Sequence, residues 1–121
     1  MYSENDTLIK ETIRNYFDGL FYGDIAKLKI AFAEDCYLHG DIKNIPYKKQ
    51  LDEYFESVQN RKSPDELREI FRMDIISIEV LGRIAIAKLH VPMLGYNYYD
   101  FLSRALINGR WKIAHKLFVH I

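Results

Sequence analysis

The spacing of apolar residues changes once along the chain, and this change constrains the fold more than any other feature. Up to Val58, apolar side chains recur every three or four residues, as on one face of an amphipathic helix. From Ile70 onward they form four longer runs separated by short turns. Helices followed by consecutive strands are typical of an α+β fold in which helices cover one face of the sheet. The length of 121 residues suits one domain, so we expect a single domain over residues 1–121.

The first half of the chain predicts three helices. Ser3 is the expected N-cap of the first helix and Gly23 its end, and Asp24 then caps a short second helix. Pro46 suits the first turn of the third helix. The apolar stripe of the first helix consists of Ile9, Ile13, Tyr16, Phe17 and Leu20, and that of the third of Tyr47, Leu51, Tyr54, Phe55 and Val58.

Shorter elements are predicted on either side of the third helix. Tyr37–His39 predicts a brief strand, and Gly40-Asp41 a turn. Residues Asn60–Glu66 form a polar loop. Within it, Ser63–Glu66 has the capping serine, the proline and the acidic residue that are typical of a one-turn helix.

The second half of the chain predicts an antiparallel meander. Asn108-Gly109 is a strong hairpin signal, because both central residues of a type I′ turn need positive φ. Pro92 cannot donate to a ladder, which indicates a strand end, an edge or a bulge. The connections are short, as in a meander. The four predicted strands are Ile70–Leu81, Ile84–Met93, Tyr96–Ile107 and Trp111–Ile121.

Charge and hydropathy exclude several classes of partner. Seventeen Lys and Arg balance 17 Asp and Glu, and a net charge of zero argues against binding to nucleic acid or anionic lipid. The polar N-terminus lacks the apolar core of a signal peptide, and no apolar run approaches the roughly 20 residues of a membrane span. We therefore expect a cytoplasmic protein that binds neither nucleic acid nor membrane.

The sequence gives no sign of a metal or a cofactor. The single cysteine, Cys36, excludes an intrachain disulfide, and its apolar setting favours a buried, inert thiol. His39, His90 and His115 are spread over three elements without the short-range spacing of a metal site. Phosphate-binding and dinucleotide-binding glycine motifs are absent, as are nucleophile motifs. We therefore expect no metal and no cofactor.

Five segments, taken in order, resemble the nuclear transport factor 2-like superfamily. Its opening pattern of long helix, glycine-aspartate break, short helix and strand entry is matched by Asn15–Leu20, Gly23-Asp24 and Ala31–Cys36. The ending, Tyr99–Leu102 followed by Asn108–Lys116, resembles the group called "putative lumazine-binding", which is close to the SnoaL-like polyketide cyclases. The similarity covers essentially the whole chain.

The resemblance implies a particular α+β architecture. It is a cone-shaped α+β roll, with three N-terminal helices packed in a curved antiparallel meander sheet. The resemblance also implies a cavity at the open end of the cone and a homodimer through the outer face of the sheet. Because this superfamily contains isomerases, cyclases, dehydratases and binding modules, the fold leaves the activity open.

Ketosteroid isomerase is a member of this superfamily with well-defined chemistry. A tyrosine on its first helix and an acid on a late strand form an oxyanion hole, and an aspartate after the short helix is the base. The resemblance places Tyr16 at the tyrosine position and the late-strand acid next to Asp100. It places the base near His39 or Gly40, neither of which is a carboxylate, with Asp41 just beyond. The match therefore gives isomerase activity little support.

Polar and aromatic side chains at several positions are candidates for a ligand pocket. Tyr16 is either a hydroxyl on the cavity wall or a core tyrosine with one partner. His39 either forms an acid/base pair with Asp41 or adjoins a turn in which that aspartate bonds nearby amides. Catalytic residues are not assigned. The six candidate ligand-binding residues are Tyr16, His39, Tyr54, His90, Tyr98 and Asp100.

Asp100 has two interpretations that the sequence leaves open. A carboxylate within an aromatic strand needs a partner or solvent. Strand alternation places it on the same face as Tyr98 and Arg104, so an ion pair with Arg104 is one interpretation. A pocket carboxylate is the other. Further cationic partners on the paired strands are Lys88, Lys112 and Lys116.

Two function classes follow from these patterns. The first is a pocket for a partly apolar, ring-bearing small molecule, in which acid/base chemistry of the isomerase, cyclase or dehydratase kind would use His39 or Asp100. The second is a non-catalytic homodimerisation or protein-interaction module. Its support is the outer sheet face, where Ile84 and Ile86 alternate with alanines, because a sheet that is apolar on both faces needs a partner.

Overall fold

The computed structural model describes residues 4–121, and within them it contains three helices and six strands. The expected N-cap Ser3 lies outside the described residues. The helices are α1 (Glu4–Tyr22), α2 (Ile25–Ala31) and α3 (Leu51–Asn60). The strands are β1 (Phe32–Ile42), β2 (Ile45–Gln50), β3 (Asp74–Leu81), β4 (Ile84–Met93), β5 (Tyr96–Ile107) and β6 (Arg110–His120).

The predicted α+β fold is confirmed, with a curved sheet that is mixed rather than wholly antiparallel. Strands β3 to β6 form the predicted antiparallel meander. Strand β1 then pairs in parallel with β6, and β2 pairs with the other edge of β1. The strand order is therefore β2-β1-β6-β5-β4-β3. In the last hairpin, Asn108 and Gly109 have φ of 50° and 78°, as the predicted turn requires.

Most predicted boundaries agree with the structure. Gly23 follows α1, and the Asp24 side chain accepts a hydrogen bond from the Lys27 amide and so caps α2. The strand predicted at Ile70–Leu81 begins later than expected, at Asp74. The preceding segment instead packs Phe71 against Phe17 and Phe21, with ring centroids 6.2 and 5.1 Å apart.

The segment 45–50 was predicted wrongly as the start of the third helix. It forms strand β2, and α3 begins only at Leu51. Pro46 is tolerated because β2 is an edge strand, where a missing N–H breaks no central ladder. The turn lies at Lys43 and Asn44, both with positive φ, rather than at Gly40-Asp41. Strand β1 therefore extends through the predicted turn.

The predicted one-turn helix at Ser63–Glu66 is a hydrogen-bonded turn. The Ser63 hydroxyl accepts from the Glu66 amide at 3.1 Å, and the Glu66 carboxylate accepts from the Ser63 amide at 3.4 Å. These are the reciprocal bonds of a capping box. The motif thus forms its local hydrogen bonds although no helix follows it in the structure.

The core lies between the helices and the concave face of the sheet. Along β4, alternate side chains from Ala85 to Met93 are buried, and those between them are more exposed. A bulge interrupts β6, because Ser103 pairs with His115 while Arg104 pairs with Ile113. The extra residue changes the alternation of β6. Beyond it, Lys116 is buried on the concave side.

Candidate functional site

A cavity of about 180 Å³ lies between α3 and the concave face of the sheet. Its lining comes from α1, α3 and every strand except β3. The lining residues are Leu20, Ile42, Tyr47, Lys49, Tyr54, Ser57, Arg61, Val91, Met93, Tyr98, Asp100, Lys116 and Phe118. A wider depression of about 610 Å³ lies near the last hairpin, but most of its lining residues are exposed, as in a surface groove.

Tyr16 and Asp100 form the buried polar end of this cavity. Tyr16 belongs to the apolar stripe of α1, and Asp100 points inward from β5; both are buried. The Tyr16 hydroxyl donates a hydrogen bond to the Asp100 carboxyl group. Burial raises the pKa of Asp100, although the Lys116 ammonium and the hydrogen bond from Tyr16 oppose this shift. Burial and the neighbouring carboxylate raise the pKa of Tyr16, so its hydroxyl keeps its proton.

Lys116 places a cation beside this pair. Its Nζ donates to the Tyr54 hydroxyl at 3.1 Å and lies 4.6 Å from the centre of the Tyr54 ring. It also lies 5.2 Å from the ring centre of Tyr16 and 5.0 Å from that of Phe118. Burial opposes the charge, but the attraction of Tyr54 and Asp100 outweighs it and raises the pKa of Lys116. The ammonium is therefore held by aromatic faces and polar neighbours.

Aromatic rings and two further cations line the rest of the cavity. Phe118 packs edge-on against Tyr47 and Tyr98, with ring centroids 5.0 and 5.7 Å apart. Lys49 donates to the Ser57 hydroxyl at 2.6 Å. Arg61 is the C-cap residue of α3, and its Nη2 atom is buried without a hydrogen-bond partner.

Four of the six predicted ligand-binding residues gather here. Tyr54, Tyr98 and Asp100 line the cavity, and Tyr16 bonds Asp100 from behind. The expected face shared by Tyr98, Asp100 and Arg104 is present, because all three point inward from β5. The ion pair considered for Asp100 and Arg104 does not form: Arg104 donates instead to the Ile9 carbonyl at 3.3 Å.

His39 and His90 lie outside this cavity, contrary to the expectation that they share one pocket with the others. Their strand neighbours Leu38 and Leu89 point into the core, so alternation turns both imidazoles to the outer face. His39 Nδ1 lies 2.8 Å from His115 Nε2. His90 stacks on Tyr99 and bonds Asn97 through Nε2 at 2.6 Å.

The position expected for an isomerase base carries no carboxylate. Gly40 points inward, and a Cβ atom there would overlap the ring of Phe118. Asp41 accepts a hydrogen bond from the Asn44 amide at 2.9 Å, which is the turn chemistry considered for it. The phenylalanine ring therefore fills the space that a carboxylate on β1 would need.

Sequence reasoning missed Arg61 as a cavity residue and weighed Lys116 only as an ion-pair partner. The bulge that turns Lys116 inward has no sequence signature, and Arg61 follows α3 in what reads as a polar loop. Cys36 is buried, and burial raises the pKa of its thiol to about 12, which makes it a poor nucleophile.

Neither a metal-binding cluster nor a membrane-spanning helix is found in the part of the chain that the structure describes. Among the side chains of residues 7–121, no group of three or more His, Cys, Asp or Glu is placed to hold a metal ion. None of the described helices combines the length and apolarity required to cross a bilayer.

Comparison with solved structures places this architecture in the nuclear transport factor 2-like fold class. A nuclear transport factor 2-like protein of unknown function from Silicibacter pomeroyi DSS-3 is 21% identical, with a TM-score of 0.85 and full coverage of both chains. Proteins of the same description from Shewanella baltica OS155 and Methylobacillus flagellatus KT are 19% and 15% identical, with TM-scores of 0.85 and 0.88. All of this chain is covered in both cases, with 97% and 95% of theirs.

The sequence also identifies the family. The profile of the family described as "Putative lumazine-binding" matches residues 4–119, so the chain belongs to this family. No curated protein matches the sequence. The description of this family indicates a ligand-binding protein.

Proposed function

We propose that the protein binds a small organic molecule with an apolar ring in the cavity between α3 and the sheet. The observation that carries this proposal is the convergence of buried polar groups on a cavity with aromatic walls. Asp100, Tyr16 and Lys116 lie at its polar end, and aromatic rings form its wall. Burying such groups is costly unless they find partners, and pockets that orient ligands have this composition.

The size of the cavity sets the size of the ligand. A volume of about 180 Å³ is below the roughly 300–1,000 Å³ of pockets for drug-sized ligands. It corresponds to about six water molecules at about 30 Å³ each. The pocket therefore suits a single-ring molecule rather than a fused polycycle.

Acid/base chemistry of the isomerase, cyclase or dehydratase kind would rest on Asp100. Burial raises its pKa, while the Lys116 ammonium and the hydrogen bond from Tyr16 oppose that shift. Among the described lining residues Asp100 is the only carboxylic acid, so a base would have to come from water or the ligand. We therefore propose binding as the function, with Asp100 as the carboxyl group that would meet a polar atom of the ligand.

Native mass spectrometry of the purified protein, followed by denaturing extraction, tests the binding function. We expect an added small-molecule mass on the wild-type protein and its loss in Ile42→Trp, which fills the cavity. Ile45→Trp is the matched control, because Ile45 pairs with Ile42 across the hairpin but is exposed outside the cavity. Retention of the same molecule by a folded Ile42→Trp protein would contradict the proposal.

Self-association is a second function that one observation favours. On the outer sheet face, Ile84, Ile86, Phe101 and Leu117 are all more than 40% exposed, and Phe101 pairs directly with Leu117. Exposed apolar surface of this kind marks interaction sites. We propose that this face forms a homodimer, compatible with ligand binding inside the cone.

Sedimentation velocity tests the dimer. We expect a dimer for the wild-type protein and a monomer for Phe101→Lys, because a charge at this position would be buried in the interface. Ile45→Lys, an exposed site on the edge strand, is the control for added charge. A wild-type monomer at high protein concentration would rule the dimer out.

A further inference from the structure

We infer that the cavity selects an anionic ligand, namely a single-ring molecule that carries a carboxylate. This inference rests on the proposed binding function and specifies its substrate class. Three cationic side chains line the cavity, Lys49, Arg61 and Lys116, against the single carboxyl group of Asp100. Even with Asp100 ionised, three positive charges against one negative charge leave a net charge of about +2.

Lys116 is the most buried of these cations, and it forms no salt bridge among the described residues. It is only 5% exposed, and its one hydrogen-bond acceptor is the neutral hydroxyl of Tyr54. Among the described residues, no carboxylate oxygen lies within 4.0 Å of its Nζ. An ammonium has three donors, so two remain for a ligand. A buried cation without a salt bridge is costly, and a bound anion would lower that cost.

Arg61 supplies the geometry that distinguishes a carboxylate. Its Nη2 is buried at the cavity without a hydrogen-bond partner. A guanidinium presents a planar fork that matches the two oxygens of a carboxylate. Buried donors of this kind normally have acceptors. The unpaired Nη2 atom of Arg61 therefore indicates where a ligand oxygen would bind.

Asp100 offsets at most one of these three charges. Its carboxyl group is the only one among the described lining residues, and it accepts the hydrogen bond from Tyr16. The Tyr16 hydroxyl is therefore directed at Asp100 rather than at the cations. An excess of positive charge therefore faces the cavity.

The remaining wall suits the apolar part of such a ligand. Tyr47, Tyr98 and Phe118 offer aromatic faces beside the cations. A ring can pack on these faces while its carboxylate reaches Arg61 and Lys116. The volume of about 180 Å³ admits one ring with a short acidic group.

Matched pairs of probes that differ only in charge test this inference. We would measure affinities by calorimetry for benzoate and benzamide, nicotinate and nicotinamide, and cinnamate and cinnamamide. We expect at least one carboxylate to bind tenfold or more tightly than its amide. Arg61→Gln should remove most of that preference by weakening carboxylate binding. Lys62→Gln, an exposed neighbour with the same charge loss, is the matched control.

The outcomes separate the inference from the proposed function. Equal affinity for acids and amides, in a folded protein that binds both, would overturn the anionic ligand but leave the pocket intact. A carboxylate preference that survives in both Arg61→Gln and Lys116→Met would also overturn it, because other residues would then have to recognise the negative charge of the ligand. No binding of any probe, with no small molecule released on denaturation, would overturn the binding function itself.

Discussion

At the scale of single residues, Asp100 connects the sequence to the site most directly. A carboxylate among aromatic residues on a strand predicted either a partner or a pocket, and the structure gives it both a tyrosine partner and a cavity. Tyr16 was a candidate because of its place in the helical stripe and the family resemblance, but the sequence considered only cationic partners for Asp100. The lysine could not be placed, since a one-residue bulge decides which way Lys116 points.

Substitutions at Asp100 separate its hydrogen bond from its charge. In Asp100→Asn, the amide oxygen can still accept from Tyr16, so we expect a change in unfolding free energy within about 1 kcal/mol. In Asp100→Leu, the buried Tyr16 hydroxyl loses its acceptor, and we expect a loss of about 1–3 kcal/mol. Urea unfolding of both variants checks this. Equal destabilisation by Asn and Leu would show that the hydrogen bond from Tyr16 does not contribute to the free energy of unfolding.

The raised pKa of Asp100 predicts a pH dependence of defined sign. Its folded-state pKa lies above the unfolded value near 3.9. Once the pH rises past about 4, the native state therefore binds more protons than the unfolded chain does at the same pH. The stability that Asp100 contributes is thus fully present below about pH 4 and is lost as the pH rises through its folded pKa. Asp100→Asn removes this dependence.

Urea unfolding of both proteins at pH 4 and pH 7.5 measures the effect. Relative to the wild-type protein, Asp100→Asn should be more stable at pH 7.5 than at pH 4. Taking the difference between the two proteins cancels the titration of groups elsewhere, provided their pKa values are the same in both. A difference that does not change with pH would show that burial leaves the pKa of Asp100 where it is in the unfolded chain.

At the scale of elements, the apolar stripes predicted the helices and the long apolar runs predicted the antiparallel meander. The spacing of apolar residues indicates which face of an element is buried. The long elements of this chain bury one face each, so the pattern identifies them. Strand β2 was missed because Pro46 and the stripe from Tyr47 to Val58 also fit a helix. The edge position that admits proline depends on strand order. Strand order, like the parallel pairing of β1 with β6, arises from tertiary contacts rather than local pattern.

The contact between β1 and β6 at Gly40 is an element-scale test of how the cavity wall is built. A methyl group at Gly40 would overlap the Phe118 ring, so we expect Gly40→Ala to cost about 1–3 kcal/mol. In a Phe118→Ala background, the same substitution should cost much less, because the ring is gone. A double-mutant cycle by urea unfolding measures this coupling. Equal costs in the two backgrounds would mean that the backbone, not the ring, resists the change.

At the scale of the whole molecule, the curved sheet has two faces with different roles. The concave face holds the core and the cavity, and the convex face exposes apolar side chains around His39 and His90. Which residues belong to which face could be predicted only where alternation is unbroken. His39 and His90 were assigned to the pocket because the sequence does not reveal how a strand is rotated relative to the helices.

The central claim is that a ligand binds inside the cone, and NMR mapping tests it most directly. Backbone amides of the labelled protein would be followed during titration with benzoate and with benzamide. We expect the largest shifts at Tyr98, Asp100 and Lys116, with little change at Lys88 and Phe101 on the outer face. Shifts confined to the outer face, or none with any probe of the panel, would contradict the account.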